Sequence, residues 1–369
     1  MKIIALLGSP RPKKYTQMVL EKFLEGAASK GAEFEVIPLA KKKITPCLGC
    51  YTCWYKTPGV CIHQDDDMPQ LLEKLKACDL EVYATPLYHF AMTAYMKLFL
   101  ERTLPLVEPY LIESGGVTTH PQRFSGKGAK KMVLISVCGF PEWDHFAALV
   151  ENFRLLSRAS GKNLAGVLLR PGAESMLFID RLGKKGEDVL QGFYRAGQEI
   201  VEKGEVSKEV EGIVRQEWTK NRRGFQEQAN LFSTIRMEHA ERARRGEEKR
   251  PFEEAIREDI RMILGGMAAS FNQEVAGDLQ ATIQFHVSGK QPGQWYYEIQ
   301  GGDCAFREGQ VEHPTLTLHT PSEVWLAISK GELDGARAFR EKKYTAEGDL
   351  NLLMRFKSLF APMKNEDSG

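Results

Sequence analysis

The chain has 369 residues, 43% apolar and 27% charged, with a formal net charge of +1. That length calls for two domains, and the near-zero charge names no partner, so no nucleic-acid partner is expected. No apolar run reaches the roughly 20 residues needed to cross a bilayer, and the opening stretch Met1 to Gly8 is too short and too soon interrupted for a secretory signal, so a cytoplasmic protein is expected.

Five apolar runs in the first half, residues 2–8, 33–39, 80–86, 131–139 and 164–170, are rich in Val, Ile and Leu, as strands buried on both faces must be. Amphipathic stretches at 16–29, 66–76, 93–104, 144–160 and 187–203 fill the gaps as helices, with Asp66 and Asp67 as acidic caps and Pro69 in the first turn. The alternation predicts a doubly wound parallel sheet of flavodoxin-like order 2-1-3-4-5, with ligands beyond the carboxyl ends of its strands. This α/β domain is expected over 1–203.

Residues 204–250 change to a polar helical extension or linker. Its stretch from Ile235 to Arg250 carries six basic and four acidic side chains, the balance of a solvated helix face. From 251 to 363 the pattern is that of a separate α+β domain. A helix over 252–271 precedes alternating strands at 281–287, 295–299, 304–306 and 315–319. Helices at 322–330, 334–340 and 349–360 follow, presenting Trp325, Phe339, Phe356 and Phe360.

Three places carry chemistry. The first strand runs through Gly8-Ser9-Pro10-Arg11-Pro12-Lys13-Lys14-Tyr15-Thr16-Gln17 into a helix, where main-chain N–H groups, hydroxyls and cations favour a phosphate. This loop is neither a Walker A nor a G-x-G-x-x-G sequence. The third strand ends in Thr85-Pro86-Leu87-Tyr88-His89-Phe90, whose main chain can edge a flat heterocycle while Tyr88 and Phe90 pack on its face. Beyond the second strand, Cys47, Cys50, Cys53 and Cys61 fall within fifteen residues. That set can hold an iron–sulfur cluster, a zinc ion or a structural thiol group, or form a redox disulfide, whereas Cys78, Cys138 and Cys304 are scattered. His63 nearby reads as a solvated loop histidine.

Gly8-Ser9-Pro10-Arg11, Thr85-Pro86-Leu87-Tyr88 with Lys97 and Arg102 downstream, and Ser136-Val137-Cys138-Gly139 together resemble the NADPH-dependent FMN reductase family over about residues 1 to 200. The resemblance implies FMN, with Ser9, Arg11, Tyr15, Thr16 and Gln17 at its phosphate and Pro86, Leu87, Tyr88, His89, Phe90 and Gly139 at its ring. Pro46-Cys47-Leu48-Gly49-Cys50-Tyr51-Thr52-Cys53 and Pro58-Gly59-Val60-Cys61 resemble the iron–sulfur flavoproteins, which implies a [4Fe-4S] cluster on Cys47, Cys50, Cys53 and Cys61 close to FMN.

The C-terminal stretch resembles the sterol carrier protein 2 (SCP2) domain over about 255 to 362. The carrying residues are Ala281 to Phe285, Trp295 to Asp303, Pro314 to Leu318, Trp325 to Asp334, and Ala338-Phe339 through Gly348-Asp349. That resemblance implies a sterol, fatty-acid or acyl-chain ligand in an apolar tunnel, against the alternative of a solid aromatic core. The whole reads as an FMN-dependent NAD(P)H oxidoreductase with a fused lipid-binding module, acting on quinone or another hydrophobic acceptor. Two alternatives remain: an iron–sulfur flavoprotein passing electrons between partner proteins, and a lipid-binding protein whose flavodoxin half is a scaffold. Analogy with flavodoxin-like reductases adds a homo-oligomer, and no catalytic side chain is singled out.

Overall fold

Burial on both faces explains why β1 (Lys2–Leu7) and β3 (Leu80–Pro86) form where the apolar runs lie, whereas β2 (Glu33–Pro38), at the sheet edge, buries only Ile37. A computed structural model describes residues 1–124, 130–218 and 222–360. It divides into two compact units, Met1–Trp218 and Thr219–Gly369.

In the first unit α1 (Tyr15–Ala28) follows β1, and α2 (Thr52–Tyr55) and α3 (Met68–Ala77) lie between β2 and β3. Then come α4 (Ala94–Glu101), a hairpin of β4 (Ile112–Ser114) and β5 (Val117–Thr119), β6 (Lys131–Val137), α5 (Ala147–Ser160), β7 (Asn163–Arg170), α6 (Lys184–Glu202) and α7 (Lys208–Arg215). The five main strands are parallel in the order β2-β1-β3-β6-β7. Without the intervening hairpin this is the predicted order 2-1-3-4-5.

Alternate residues of each strand feed opposite faces. Ile3, Ala5, Val82, Val133 and Ile135 meet α1 and α6, while Ile4, Leu6, Tyr83 and Leu134 meet α3 and α5. The α1–α6 pair packs backbone to backbone. A Cβ at Gly197 would stand 1.9 Å from the Phe23 carbonyl oxygen, and one at Gly26 1.9 Å from that of Tyr194. Gly197→Ala must push the helices apart, with an expected loss of about 1–3 kcal/mol, read as a lower urea midpoint.

The hairpin was not anticipated, although Gly115-Gly116, both at positive φ, is the dipeptide that a two-residue primed turn favours. The stretch 204–250, expected as a linker, is divided between the units apart from 219–221, which lie outside the described residues. Its α7 packs on α6 and on β7. Glu211 accepts the Val167 N–H at 2.9 Å, and the buried Arg170 guanidinium donates to the Val214 and Gln216 carbonyls at 2.9 and 2.8 Å. Burial lowers the Arg170 pKa to about 9, and the Trp218 ring, 4.2 Å away, covers its cation.

The second unit holds α8 (Arg222–Arg244), α9 (Phe252–Ala255), α10 (Ile260–Ala269), α11 (Gln273–Ala276), β8 (Ala281–Ser288), β9 (Gly293–Gln300), β10 (Asp303–Glu308) and β11 (Leu316–Pro321). It ends with α12 (Ser322–Ser329), α13 (Gly335–Arg340), β12 (Thr345–Gly348) and α14 (Leu350–Phe360). The expected end of this domain at 361–363 lies outside the described residues. The sheet order is β10-β9-β8-β11-β12, antiparallel except for the β8–β11 pair. The single helix expected over 252–271 is broken at Asp259, whose extended backbone and carboxylate start α10 afresh by accepting the Arg261 N–H. The other part of the expected linker, α8, lies on α10, where Gln228 donates to the Met262 carbonyl and Glu238 pairs with Arg261 at 2.7 Å.

Trp325, Phe356 and Phe360 pack ring against ring with Phe285 and Tyr297, at 4.6–6.4 Å between centroids. Phe339 packs on Tyr344. These rings fill one another's space rather than standing open. A cleft of about 350 Å³ lies between α8, α10 and β10, with Leu231, Ala268, Trp295, Phe306, Glu227 and Arg307 among its lining.

Candidate flavin site and cysteine loop

Because β1, β3 and β6 are neighbours and parallel, their following loops open on one edge of the sheet. Buried hydroxyls stitch that edge together. Thr93 donates to the Gly8 carbonyl at 2.7 Å, Thr85 accepts the Thr93 N–H at 3.1 Å, and Ser136 donates to the Thr85 carbonyl at 2.8 Å. The Leu87 N–H reaches the Val137 carbonyl at 2.9 Å. A Cβ on Gly8 would come within 3.0 Å of the Thr93 hydroxyl and 3.3 Å of Met96, so this passage wants glycine. Gly8, Thr85, Leu87, Ser136 and Val137 stood within the sequence motifs, but the supporting hydrogen bonds that they make with one another and with Thr93 were not read from the sequence.

At the first loop Ser9 is buried, and its Oγ accepts the Arg11 N–H at 3.3 Å and donates back to the Arg11 carbonyl at 3.2 Å. This turn fixes the Arg11 backbone and leaves its guanidinium at the surface. Tyr15 and Thr16 are buried, Tyr15 within the core, and the Gln17 side chain accepts the Lys13 N–H at 2.9 Å and donates to Glu21 at 2.7 Å. The structure therefore brings Ser9, Arg11, Tyr15, Thr16 and Gln17 together at the start of α1, an arrangement suited to an anion.

At the second loop Pro86 ends the fully buried β3, and Leu87 packs against the core. Tyr88 and Ala91 exchange N–H···O bonds at 2.9 and 3.0 Å around His89 and Phe90, whose φ angles are 47° and 64°. Two consecutive non-glycine residues in the left-handed region form a primed turn at a cost that such turns usually escape by using Asn-Gly. Strain of this kind collects at binding sites.

Phe90, Tyr88 and Phe140 are exposed, and His145 links two of them, 5.5 Å from the Phe90 ring and 4.8 Å from the Phe140 ring, with its Nε2 3.2 Å from Glu142. His145 and Phe140 were not anticipated. Gly139 has ordinary φ, and an added Cβ there would meet only Glu174 Cγ, at 3.8 Å. Neither its backbone nor its neighbours demand glycine, which fits a flat ligand passing close by. On these observations the residues present fit FMN.

The cysteine loop has a buried foundation. Arg102, expected only as part of the third-strand resemblance, is 1% exposed and donates to Asp66 at 2.6 Å, to the Thr45 carbonyl at 2.6 Å and to the His63 carbonyl at 3.2 Å. It therefore ties the chain before Cys47 to the chain after Cys61. Asp66, expected as a helix cap, does accept the Met68 N–H at 3.0 Å, but it also accepts the Thr45 N–H at 2.9 Å and holds Arg102. Asp67 accepts the Lys43 N–H instead of capping α3. His63, expected to be solvated, keeps Nε2 buried without a hydrogen-bond partner in the described residues.

All four cysteines are free thiols. Burial raises the Cys53 pKa, and the charges of Cys61, Cys47 and Cys50 raise it further, which places the other three sulfurs within electrostatic reach of it. Hydrogen bonding to Thr52 lowers that of Cys50. The donors suit an iron–sulfur cluster or zinc in kind. Among the described residues, however, no three His, Cys, Asp or Glu groups converge in a way that could hold a metal. No helix among the described residues is long and apolar enough to cross a membrane.

The first unit is thus a flavodoxin-like sheet with a loop cradle at its carboxyl edge. Residues 1–129 match the model of the NADPH-dependent FMN reductase family and residues 268–361 that of the SCP-2 sterol transfer family. An iron–sulfur flavoprotein of Methanocaldococcus jannaschii is 37% identical over 106 residues, 29% of this chain and 53% of that one. One of Archaeoglobus fulgidus is 33% identical over 142 residues, 38% and 58% of the two chains. The chain spans about half the length of the curated relatives it matches. Among solved structures, an NAD(P)H:quinone oxidoreductase from Methanothermobacter marburgensis aligns over 54% of this chain and 96% of its own, at 20% identity and TM-score 0.41. An FMN-dependent NADH-azoreductase from Bacillus anthracis aligns over 55% and 98%, at 14% identity and TM-score 0.41.

Proposed function

We propose that the chain is an FMN-dependent NAD(P)H oxidoreductase whose flavin lies on the carboxyl edge of the first sheet. The strained turn at His89 and Phe90, set between the Ser9–Gln17 loop and Gly139, is the observation that carries this reading. Bound FMN supplies a carrier that accepts a hydride and returns it. Ser9, Arg11 and the start of α1 hold its phosphate, and the main chain of Pro86 to Phe90 with Gly139 borders its ring. Tyr88, Phe90 and Phe140 offer aromatic faces on the open side to a flat donor or acceptor. A quinone or another hydrophobic acceptor is favoured because an SCP-2 type domain, a lipid-binding class, is part of the same chain.

A second reading, an iron–sulfur flavoprotein that carries electrons between partner proteins, draws on one feature. The loop bearing Cys47, Cys50, Cys53 and Cys61 is anchored by a fully buried ion pair, more support than an idle loop needs. One anaerobic experiment separates the readings. Protein purified with FMN and given NADPH should lose its oxidised-flavin absorbance within the mixing time of a turnover assay. Stoichiometric iron and sulfide, with a flavin indifferent to NADPH, would favour the carrier. A colourless protein that takes up no FMN would leave the lipid-binding reading.

A further inference from the structure

We infer that Glu174 is a charge gate on the phosphate end of the flavin site, a role that rests on the FMN reading above: a flavin bearing a phosphate displaces its carboxylate from Arg11, and a flavin without one does not. Glu174 lies just past β7, in a turn held by the Ala173 N–H on the Cys138 carbonyl at 2.8 Å and the Ser175 N–H on the Gly172 carbonyl at 3.0 Å. From there its carboxylate reaches Arg11 Nη1 at 3.8 Å, and its Cγ lies 3.8 Å from where a Gly139 Cβ would stand. One side chain thus lies beside both the residue proposed for the phosphate and the residue proposed for the ring.

The pair is built to exchange. Its side chains are 45% and 41% exposed, so water competes for both charges and the bond contributes little to stability. Ser9 pins the Arg11 main chain in both directions, which leaves only the guanidinium to change partner. A phosphate monoester brings up to two negative charges and oxygens that match the guanidinium fork, and it outcompetes a single half-solvated carboxylate. A ribityl hydroxyl brings no charge and cannot. While Glu174 remains ionised it also repels the incoming phosphate, so the gate lowers FMN affinity and speeds FMN release.

The test is equilibrium binding of FMN and of riboflavin to the full chain, followed by flavin fluorescence, in the wild type, Glu174→Gln, Arg11→Ala and the double variant. Glu174→Gln is expected to tighten FMN binding roughly threefold to fivefold, to leave riboflavin unchanged, and to have a smaller effect once Arg11 is alanine, when only the direct repulsion of the phosphate remains to be relieved. Glu174→Ala, which cannot hydrogen-bond Arg11, should show the same gain for FMN, and circular dichroism checks that each variant is folded. An unchanged FMN affinity in both Glu174 variants, or an equal shift for both flavins, would overturn the gate while leaving the FMN site standing. A wild-type chain that binds neither flavin would overturn the FMN reading and the gate with it.

Discussion

Arg102→Ala is expected to destabilise the first unit by about 3–5 kcal/mol, because it leaves the Asp66 carboxylate buried without its cation. Both side chains are fully buried, and Arg102 also serves the Thr45 and His63 carbonyls, so the substitution frees both ends of the cysteine loop at once. For a domain whose total stability is on the order of 5–15 kcal/mol, that is a large fraction. Urea unfolding reads the loss, and trypsin cleavage at Lys56, inside the loop, should accelerate in the native state. Arg102→Lys should recover little, since one ammonium cannot reach three acceptors in a fixed fork.

The pair also sets an acid limit. Burial works against the Asp66 charge, but the bonds from Arg102, Thr45 and Met68 outweigh it and hold the carboxyl below its usual pKa. A lowered folded value gives stability that is complete above the unfolded carboxyl pKa of about 3.9 and is lost as pH falls through the folded one. The wild type should lose more stability on acidification than Arg102→Ala does. Equal urea midpoints for the two proteins at neutral pH would mean that the buried pair supports nothing.

Phe90→Gly is expected to move stability and flavin binding in opposite directions. At φ 64° a side chain is strained and glycine is not, while the Phe90 ring is more than half exposed and contributes little packing. After the extra unfolded-state freedom of glycine is subtracted, the folded protein should gain up to about 1 kcal/mol. FMN affinity should fall roughly tenfold, as one aromatic contact and a fixed turn are both lost. Thermal unfolding without flavin and an FMN titration measure the two effects. A less stable variant that binds FMN as tightly as the wild type would show that the strained turn serves the fold and not the ligand.

The sheet was legible because β1, β3 and β6 are buried on both faces, and burial leaves an unbroken apolar run in the sequence. The loops that follow them were legible for the same reason, since strand order fixes which loops meet. Gly115-Gly116 carried a readable turn signal that the polar residues around it obscured. The break at Asp259 was hidden inside a continuous apolar periodicity, where one side-chain cap decided the boundary. Arg102 and Asp66 stand 36 residues apart, and nothing local distinguishes a buried clamp from a helix cap and a surface cation. Glu174, Phe140 and His145 likewise join the site only through the close approach of the loops after β6 and β7 to those after β1 and β3.

Cofactor binding at the carboxyl edge is the claim on which the functional reading stands, and its most direct measurement is a titration of FMN with the flavin-free chain. Saturable quenching of flavin fluorescence, ending at a single FMN per chain and weakened in Phe90→Gly, is the result expected. Flavin fluorescence that the protein leaves unchanged, or quenching indifferent to Phe90→Gly, would contradict it.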